Sequence, residues 1–125
     1  MNENELSRIV FEAGLAVNRV LGPGLLESAY EECLYYELCC LKLKVEKQKP
    51  LPLIYKDVKL DVGYRIDLLV ENKLVIEIKS VEALNDLHLA QILTHLKLSN
   101  TKLGLLINFI TVIFKNGVKR VANGL

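Results

Sequence analysis

Residues 58–80 read VKLDVGYRIDLLVENKLVIEIKS, which is two runs of β-forming residues on either side of Glu71-Asn72-Lys73. The alternating pattern predicts two strands joined by a hairpin turn. The even-numbered positions form an entirely apolar face, which predicts core packing. These positions are Val62, Tyr64, Ile66, Leu68, Val70, Leu74, Ile76 and Ile78. The odd-numbered face is apolar next to the turn and charged further from it.

The register of this hairpin follows from its two apolar faces. Residues directly opposite each other share a face of the sheet, so the tip must contain three residues. The same register, continued away from the tip, places Asp67 opposite Glu77 and Arg65 opposite Lys79. A two-residue tip would instead place Glu77 opposite a core residue.

The facing carboxylates predict a cation site. Like charges directly opposite each other destabilise a sheet, so we expect a compensating charge, and Mg²⁺ binds carboxylates readily. Lys79 lies on the same face as Glu77, where an ammonium can orient water and offset charge on a phosphate. The alternative is a solvated ladder in which Arg65, Asp67, Glu77 and Lys79 neutralise one another. The apolar run around Glu77 favours the functional interpretation, because such breaks in pattern occur at functional sites.

The rest of the chain predicts helices on both sides of this hairpin. Its predicted elements are a helix ending at Leu21-Gly22-Pro23-Gly24, a helix to about Leu41, a strand region from Val45 to Tyr55, a helix from Asn85 or Asp86 to about Leu98, a buried strand from Leu103 to Phe109, and a final hairpin from Val112 to Val121 around Asn116-Gly117. The order is α-α-β-β-β-α-β-β. We therefore expect residues 1–125 to form a single α/β domain.

Composition restricts the class of protein. The 125 residues are 51% hydrophobic with a formal charge of +1, which argues against a strongly basic wrapper of duplex DNA and against an acidic tail protein. The polar start MNENELSR predicts no signal peptide, and no apolar run is long enough to span a membrane. Three cysteines form no even disulfide framework, so a reduced, cytoplasmic protein is expected.

Two further groups of polar residues have more than one interpretation. Positive charge concentrates between the second helix and the hairpin, at Lys42, Lys44, Lys47, Lys49, Lys56 and Lys59. These lysines fit either a nucleic-acid track or a solvated strand edge. His88, Gln91 and His95 form a polar stripe on the third helix, but the two histidines are about 10 Å apart along it, too far to share one zinc ion. The stripe is expected to face either the acidic site or solvent.

Asp67, followed on the next strand by Glu77-Ile78-Lys79, resembles the motif of the PD-(D/E)XK nuclease superfamily. The segment Gly24-Leu25-Leu26-Glu27-Ser28-Ala29-Tyr30 is similar to the signature of the GxxExxY protein family within it. Residues 21–27, 63–70 and 103–109 also resemble blocks of that family. The resemblance covers nearly the whole chain, with the blocks in the expected order.

This resemblance implies a restriction-endonuclease-like core, a mixed central β-sheet flanked by helices, with a metal-dependent nuclease site. Asp67, Glu77 and the carbonyl of Ile78 would hold Mg²⁺, for which Mn²⁺ can substitute. Lys79 would be the catalytic lysine, and Glu27 would add an acidic group to the same site and a ligand to the metal.

The resemblance extends to the third helix and has three departures. Gln91 matches a glutamine that many relatives direct at the site, and His88 falls at a family-like position. Ile66 replaces the proline of the superfamily's name. Asn18 stands where relatives often carry a histidine, and His95 where many carry a tyrosine.

Two function hypotheses follow. The first is a Mg²⁺-dependent nuclease that hydrolyses phosphodiester bonds, with DNA as the favoured nucleic-acid partner. The second is a non-cleaving module that keeps the nuclease fold and binds nucleic acid or assembles with a protein partner or as a homodimer. Stoichiometric binding of a divalent metal distinguishes the two.

Overall fold

The computed structural model describes residues 1–125 and contains three α-helices around a five-stranded sheet. The elements are α1 (Glu3–Leu21), α2 (Glu27–Cys40), β1 (Val45–Tyr55), β2 (Val58–Val70), β3 (Leu74–Lys79), α3 (Asp86–Ser99), β4 (Leu103–Asn108), a 3₁₀ helix (Phe114–Gly117) and β5 (Val118–Ala122). The strands lie in chain order across the sheet. Only β3 and β4 are parallel, and α3 connects them. The mixed α/β fold and the predicted order of elements are confirmed.

The two faces of the sheet carry cores of different size. Helices α1 and α2 cover one face over a cluster of 17 buried residues, whereas α3 covers the other over a cluster of seven. A single helix cannot cover five strands completely, because neighbouring strands are about 4.8 Å apart and a helix is about 10 Å wide. The α3 face therefore leaves room for a cleft beside the helix.

Local signals set the ends of the helices. Asn85 caps α3 by accepting a hydrogen bond from the His88 backbone N–H at 3.0 Å, and His88 Nδ1 accepts one from the Asn85 N–H at 3.2 Å. Asn100 ends the helix with a left-handed backbone, two residues after the predicted end at about Leu98. None of the helices is long and apolar enough to cross a bilayer.

The β2–β3 hairpin has the predicted three-residue tip, because Val70 pairs with Leu74. The prediction of one continuous core face on β2 was wrong for the part of the strand that does not pair with β3. Val62 and Tyr64 are 53% and 40% exposed, since only β1 neighbours this part of β2. Ile66 is buried, but it packs in the α3 core and not with the other even-numbered residues, so the alternation of the strand is interrupted at Asp67.

The predicted hairpin around Asn116-Gly117 was also wrong. Asn116-Gly117 lies within the 3₁₀ helix, and β5 pairs with β4, which needs a partner along the edge not occupied by β3. Gly117 is required for a different reason. A Cβ at this position would lie 2.5 Å from the backbone oxygen of Asn108, so only glycine permits this close approach.

Tyr30 connects α2 to the turn that precedes it. Its buried hydroxyl donates a hydrogen bond to the Gly22 carbonyl at 2.6 Å and accepts one from the Leu25 N–H at 3.2 Å. Its ring stacks on Phe109 with centroids 4.6 Å apart. These contacts fix the start of α2 against the end of the sheet.

We expect Tyr30→Phe to lower the free energy of unfolding by about 1–2 kcal/mol, because the Gly22 carbonyl and the Leu25 N–H lose their part-buried hydrogen-bond partner. Urea denaturation measures this difference. Tyr36→Phe is the matched control, since Tyr36 is 66% exposed and should change stability by less than about 0.5 kcal/mol. Equal effects of the two substitutions would contradict the role of the Tyr30 hydroxyl.

Candidate active site

Asp67 and Glu77 lie where β2 and β3 separate. The ladder of paired residues ends at Leu68 and Ile76, one position before the two acids. Beyond it, the Ile78 N–H donates to Asp67 Oδ2 at 2.8 Å, and the Asp67 N–H donates to Glu77 Oε2 at 3.4 Å. The two carboxylates thus accept hydrogen bonds that strand pairing would otherwise direct to backbone oxygens.

The predicted pairing of Arg65 with Lys79 is not present. Arg65 pairs with Pro50 of β1, because β2 has already left β3 at this point and continues with β1 alone. The separation of the strands has a chemical consequence. It opens a space beside Glu77 that a regular ladder would have closed.

Glu77 is an almost fully buried acid, with 7% of its surface exposed. Its pKa is raised to about 7. Burial is the largest cause, the contact of its Oε1 with His95 Nδ1 lowers the pKa, and the negative charge of Asp67 raises it. The carboxyl groups of Asp67 and Glu77 are also close enough to share a hydrogen bond when one is protonated. Asp67 and Glu77 therefore belong to one site, in which the charge of Asp67 affects the protonation of Glu77.

A second acid approaches Asp67 from α2. The Gln48 amide donates to Glu31 Oε1 at 2.8 Å and to Asp67 Oδ1 at 3.2 Å, so it bridges the two carboxylates. Partial burial raises the pKa of Glu31, and the charge of Asp67 raises it further. The site therefore contains three carboxylates joined by hydrogen-bond donors, and Asp67 repels both Glu31 and Glu77.

Two cations face Glu77 across a cleft of about 370 Å³. Lys79 and Arg65 both line this cleft, and neither forms an ion pair with a carboxylate. The polar residues of α3 complete its lining, and they are His88, Gln91 and His95. Unpaired cations beside a buried acid are an arrangement that can bind a phosphate group.

Buried Asn108 supports the position of Lys79 from β4. Its amide donates to the Val81 carbonyl at 2.8 Å, and its Oδ1 accepts from the Val81 N–H at 3.2 Å. The chain leaving β3 is thereby held at both backbone groups of one residue. Lys79 lies two residues before this point, in register with Asn108 on the parallel neighbour.

The structure places Glu27 beside the site and not among the three carboxylates. Glu27 Oε2 accepts a hydrogen bond from the Ser80 N–H at 3.1 Å, and Ser80 Oγ donates to the Leu25 carbonyl at 2.9 Å. Glu27 therefore contacts the chain at Ser80, one position after the end of β3 at Lys79. The charges that shift the pKa of Glu77 are those of Asp67 and His95.

Sequence reasoning did not identify Glu31 or Gln48. Glu31 lies one helical turn after Glu27, so the (i, i+4) spacing placed both on one side of α2 and was an available signal. Nothing in the local pattern marked Gln48, because it sits among alternating lysines on a predicted strand. For His95, the polar stripe on α3 left the acidic site and solvent as alternatives, and the structure places its Nδ1 at Glu77 Oε1.

The carboxylate oxygens of Asp67 and Glu77 are the candidate ligands for a divalent cation. No group of three or more His, Cys, Asp and Glu side chains in residues 1–125 is arranged to hold an ion. Mg²⁺, however, uses only one or two carboxylates and completes its shell with water and phosphate. Each oxygen of Asp67 and Glu77 accepts one hydrogen bond and keeps a further lone pair for a cation. The pair therefore fits a hard divalent ion.

Comparison with known proteins agrees with this geometry. A family model described as the PD-(D/E)XK nuclease superfamily matches residues 4–121. The chain belongs to the PD-(D/E)XK nuclease superfamily. Nucleases of this superfamily generally use divalent metals. No curated protein and no solved structure matches the chain.

The raised pKa of Glu77 predicts a pH dependence of stability in the metal-free protein. A folded pKa of about 7 against 4.5 for an ordinary glutamate means that the folded state holds the proton more tightly. Stability contributed by this proton is complete below pH 4.5 and is lost as the pH rises to about 7. The loss amounts to about 3 kcal/mol at most.

Urea denaturation of wild type and Glu77→Gln in EDTA, across this pH range, measures the effect. The wild type should lose stability relative to the variant as the pH rises, since a glutamine at position 77 does not titrate. Parallel pH profiles for the two proteins would show that the pKa of Glu77 is not raised by folding.

Proposed function

We propose that this protein is a Mg²⁺-dependent nuclease that hydrolyses phosphodiester bonds of DNA. One observation carries the proposal. Buried Glu77 lines one cleft together with the cations Lys79 and Arg65, neither of which forms an ion pair, and Asp67 lies next to Glu77. The chain that carries this arrangement belongs to the PD-(D/E)XK superfamily. The acids supply oxygen ligands, and the cations supply positive charge for a phosphate.

The proposed roles follow from the position of each group. Asp67 and Glu77, with the carbonyl of Ile78, would hold Mg²⁺ or Mn²⁺, and a bound ion of this kind lowers the pKa of water and polarises a phosphoryl oxygen. Lys79 would hydrogen-bond the attacking water and the phosphoryl oxygens, where negative charge develops. Glu27 would add an acidic group and a metal ligand at the end of β3.

The residues of α3 would act on the substrate side of the cleft. Gln91 is exposed and lines the cleft, so its amide can orient water or a phosphate oxygen. His95 would keep the Glu77 carboxylate in one orientation through Nδ1. His88 is engaged with Asn85 in the helix cap, which leaves Nε2 as its free ring nitrogen.

The lysine-rich segment contributes less to DNA binding than its charge indicates. Lys47 pairs with Glu32, and both Lys44 and Lys49 pair with Glu46. These exposed pairs support the interpretation of a solvated strand edge over that of a continuous phosphate track. DNA would therefore be bound mainly by the cations of the cleft.

Three finer assignments belong to the same proposal. The turn and α2 segment 24–30 supports membership of the GxxExxY family within the superfamily. The single sheet, which runs from residue 45 to residue 122, supports one nuclease domain over residues 1–125. The free cysteines support a reducing compartment, and we place the protein in the cytoplasm.

The nuclease proposal predicts that the purified protein nicks or cleaves DNA in Mg²⁺ or Mn²⁺ and that EDTA abolishes this activity. Lys79→Ala should lower the rate by at least about 100-fold, because the charge on the phosphoryl oxygens loses its partner. Lys119→Ala is the control, since Lys119 is exposed on β5 and lies outside the cleft. Equal rates for wild type and Lys79→Ala would identify the activity as contamination.

Direct metal binding separates the nuclease from the non-cleaving alternative. The alternative is favoured by the end of the β1–β2 hairpin, where Ile54, Tyr55 and Val58 are 58%, 59% and 54% exposed, a surface typical of protein contacts. We expect calorimetry to show one Mn²⁺ bound per chain in wild type and loss of this binding in Asp67→Asn. A wild type that binds no divalent ion would favour the assembly module, with a protein partner or a second copy at this surface.

A further inference from the structure

Gln48 has an unusual backbone conformation for its place in the fold. It lies inside β1 with φ +48°, in the left-handed region that L-residues with side chains rarely adopt. The other non-glycine residues with positive φ lie in turns or at helix ends. They are Lys42, Lys56, Glu71, Asn72 and Asn100. Gln48 alone among them interrupts a strand.

A β-bulge does not explain this conformation. Lys47 pairs with Leu68 and Lys49 pairs with Ile66, so the register of β1 against β2 is the same on both sides of Gln48. No residue is inserted, and Gln48 stands directly opposite Asp67. A glycine would adopt this backbone at no steric cost, so the presence of glutamine points to a use for its side chain.

The contacts of Gln48 show what the left-handed backbone achieves. Its amide Nε2 reaches Asp67 Oδ1 at 3.2 Å and Glu31 Oε1 at 2.8 Å. Its carbonyl accepts a hydrogen bond from Arg65 Nη1 at 3.3 Å, and both Gln48 and Arg65 line the cleft. One residue therefore contacts an acid of α2, an acid of β2 and a cation of the cleft.

These contacts determine the orientation of the Asp67 carboxylate. The Ile78 N–H holds Oδ2 from β3, and the Gln48 amide holds Oδ1 from β1, so the carboxylate is restrained by donors from both neighbouring strands. The same amide separates Asp67 from Glu31, whose negative charge would otherwise repel it. Without the amide, Asp67 would be free to turn away from Glu77.

We propose that Gln48 is a positioning residue, which orients Asp67 for cation binding from a strained backbone conformation that the fold does not otherwise require. This inference rests on the proposed function, because it assigns Asp67 as a metal ligand. It adds a residue from β1 to a site otherwise built from α2, β2, β3 and α3. Partners that orient a ligand in this way typically account for 10–100-fold in metal affinity.

The test uses the full chain and two glycine substitutions. Gln48→Gly relieves the left-handed strain and removes the amide, whereas Lys56→Gly relieves the same kind of strain, at φ +55°, in the β1–β2 turn away from the cleft. Calorimetry measures the dissociation constant for Mn²⁺. Thermal unfolding in EDTA measures Tm without metal.

We expect Gln48→Gly to weaken Mn²⁺ binding by about 10–100-fold while its Tm in EDTA stays unchanged or rises. Lys56→Gly should bind Mn²⁺ as wild type does, also without a fall in Tm. Loss of ligand affinity without loss of stability distinguishes positioning from a structural role. Gln48→Asn is the second variant, because asparagine adopts left-handed backbone readily but its amide is one methylene too short to reach both acids.

Two results would overturn the assignment. One is Mn²⁺ binding at wild-type affinity in Gln48→Gly or Gln48→Asn, and the other is a fall in Tm that accompanies weaker binding in both variants. Wild type and Asp67→Asn report separately on the proposed function. A wild type that binds Mn²⁺ and loses it only in Asp67→Asn would keep the nuclease proposal and refute the role of Gln48, whereas a wild type without binding would refute both.

Discussion

The separation of β2 from β3 at Asp67 is the constraint on which the site depends. Two carboxylates meet at this position, and each accepts a hydrogen bond from the backbone of the other strand, Asp67 from the Ile78 N–H and Glu77 from the Asp67 N–H. These bonds satisfy backbone donors that the ended ladder leaves unpaired. β2 is consequently free to continue with β1 alone, and the cleft opens between β2 and α3.

The electrostatic consequence is a cluster of acids held together by donors. Asp67 repels both Glu31 and Glu77, and the Gln48 amide, the two backbone N–H groups and His95 compensate for part of this repulsion. Burial is the largest cause of the raised pKa values of Glu31 and Glu77, and the charge of Asp67 adds to it in both. A divalent cation would lower the pKa of Glu77 again, because its charge favours the ionised carboxylate.

The unequal layers of the fold explain why the site lies where it does. The larger core beneath α1 and α2 fixes the sheet, and the stack of Tyr30 on Phe109 ties the start of α2 to it. Asn108 then holds the chain that leaves β3. Only α3 covers the other face of the sheet, so part of that face stays open. A polar cleft can form there, supported by the rigid sheet.

The sequence alone determined the order of elements, the start of α3 at Asn85 or Asp86 and the three-residue tip, because these follow from the local period of apolar residues and from turn chemistry. The sequence also predicted that Asp67 and Glu77 lie close together, because the length of the hairpin tip determines which residues of the two strands are neighbours. Tertiary structure alone decided that the pairing of β2 with β3 ends before Asp67 and that Arg65 pairs with β1 and not with Lys79. It also decided that β5 pairs with β4. Tertiary structure also placed Glu31, Gln48 and His95 next to Asp67 and Glu77. These contacts depend on strand twist and on the packing of α2 and α3, which local periodicity does not encode.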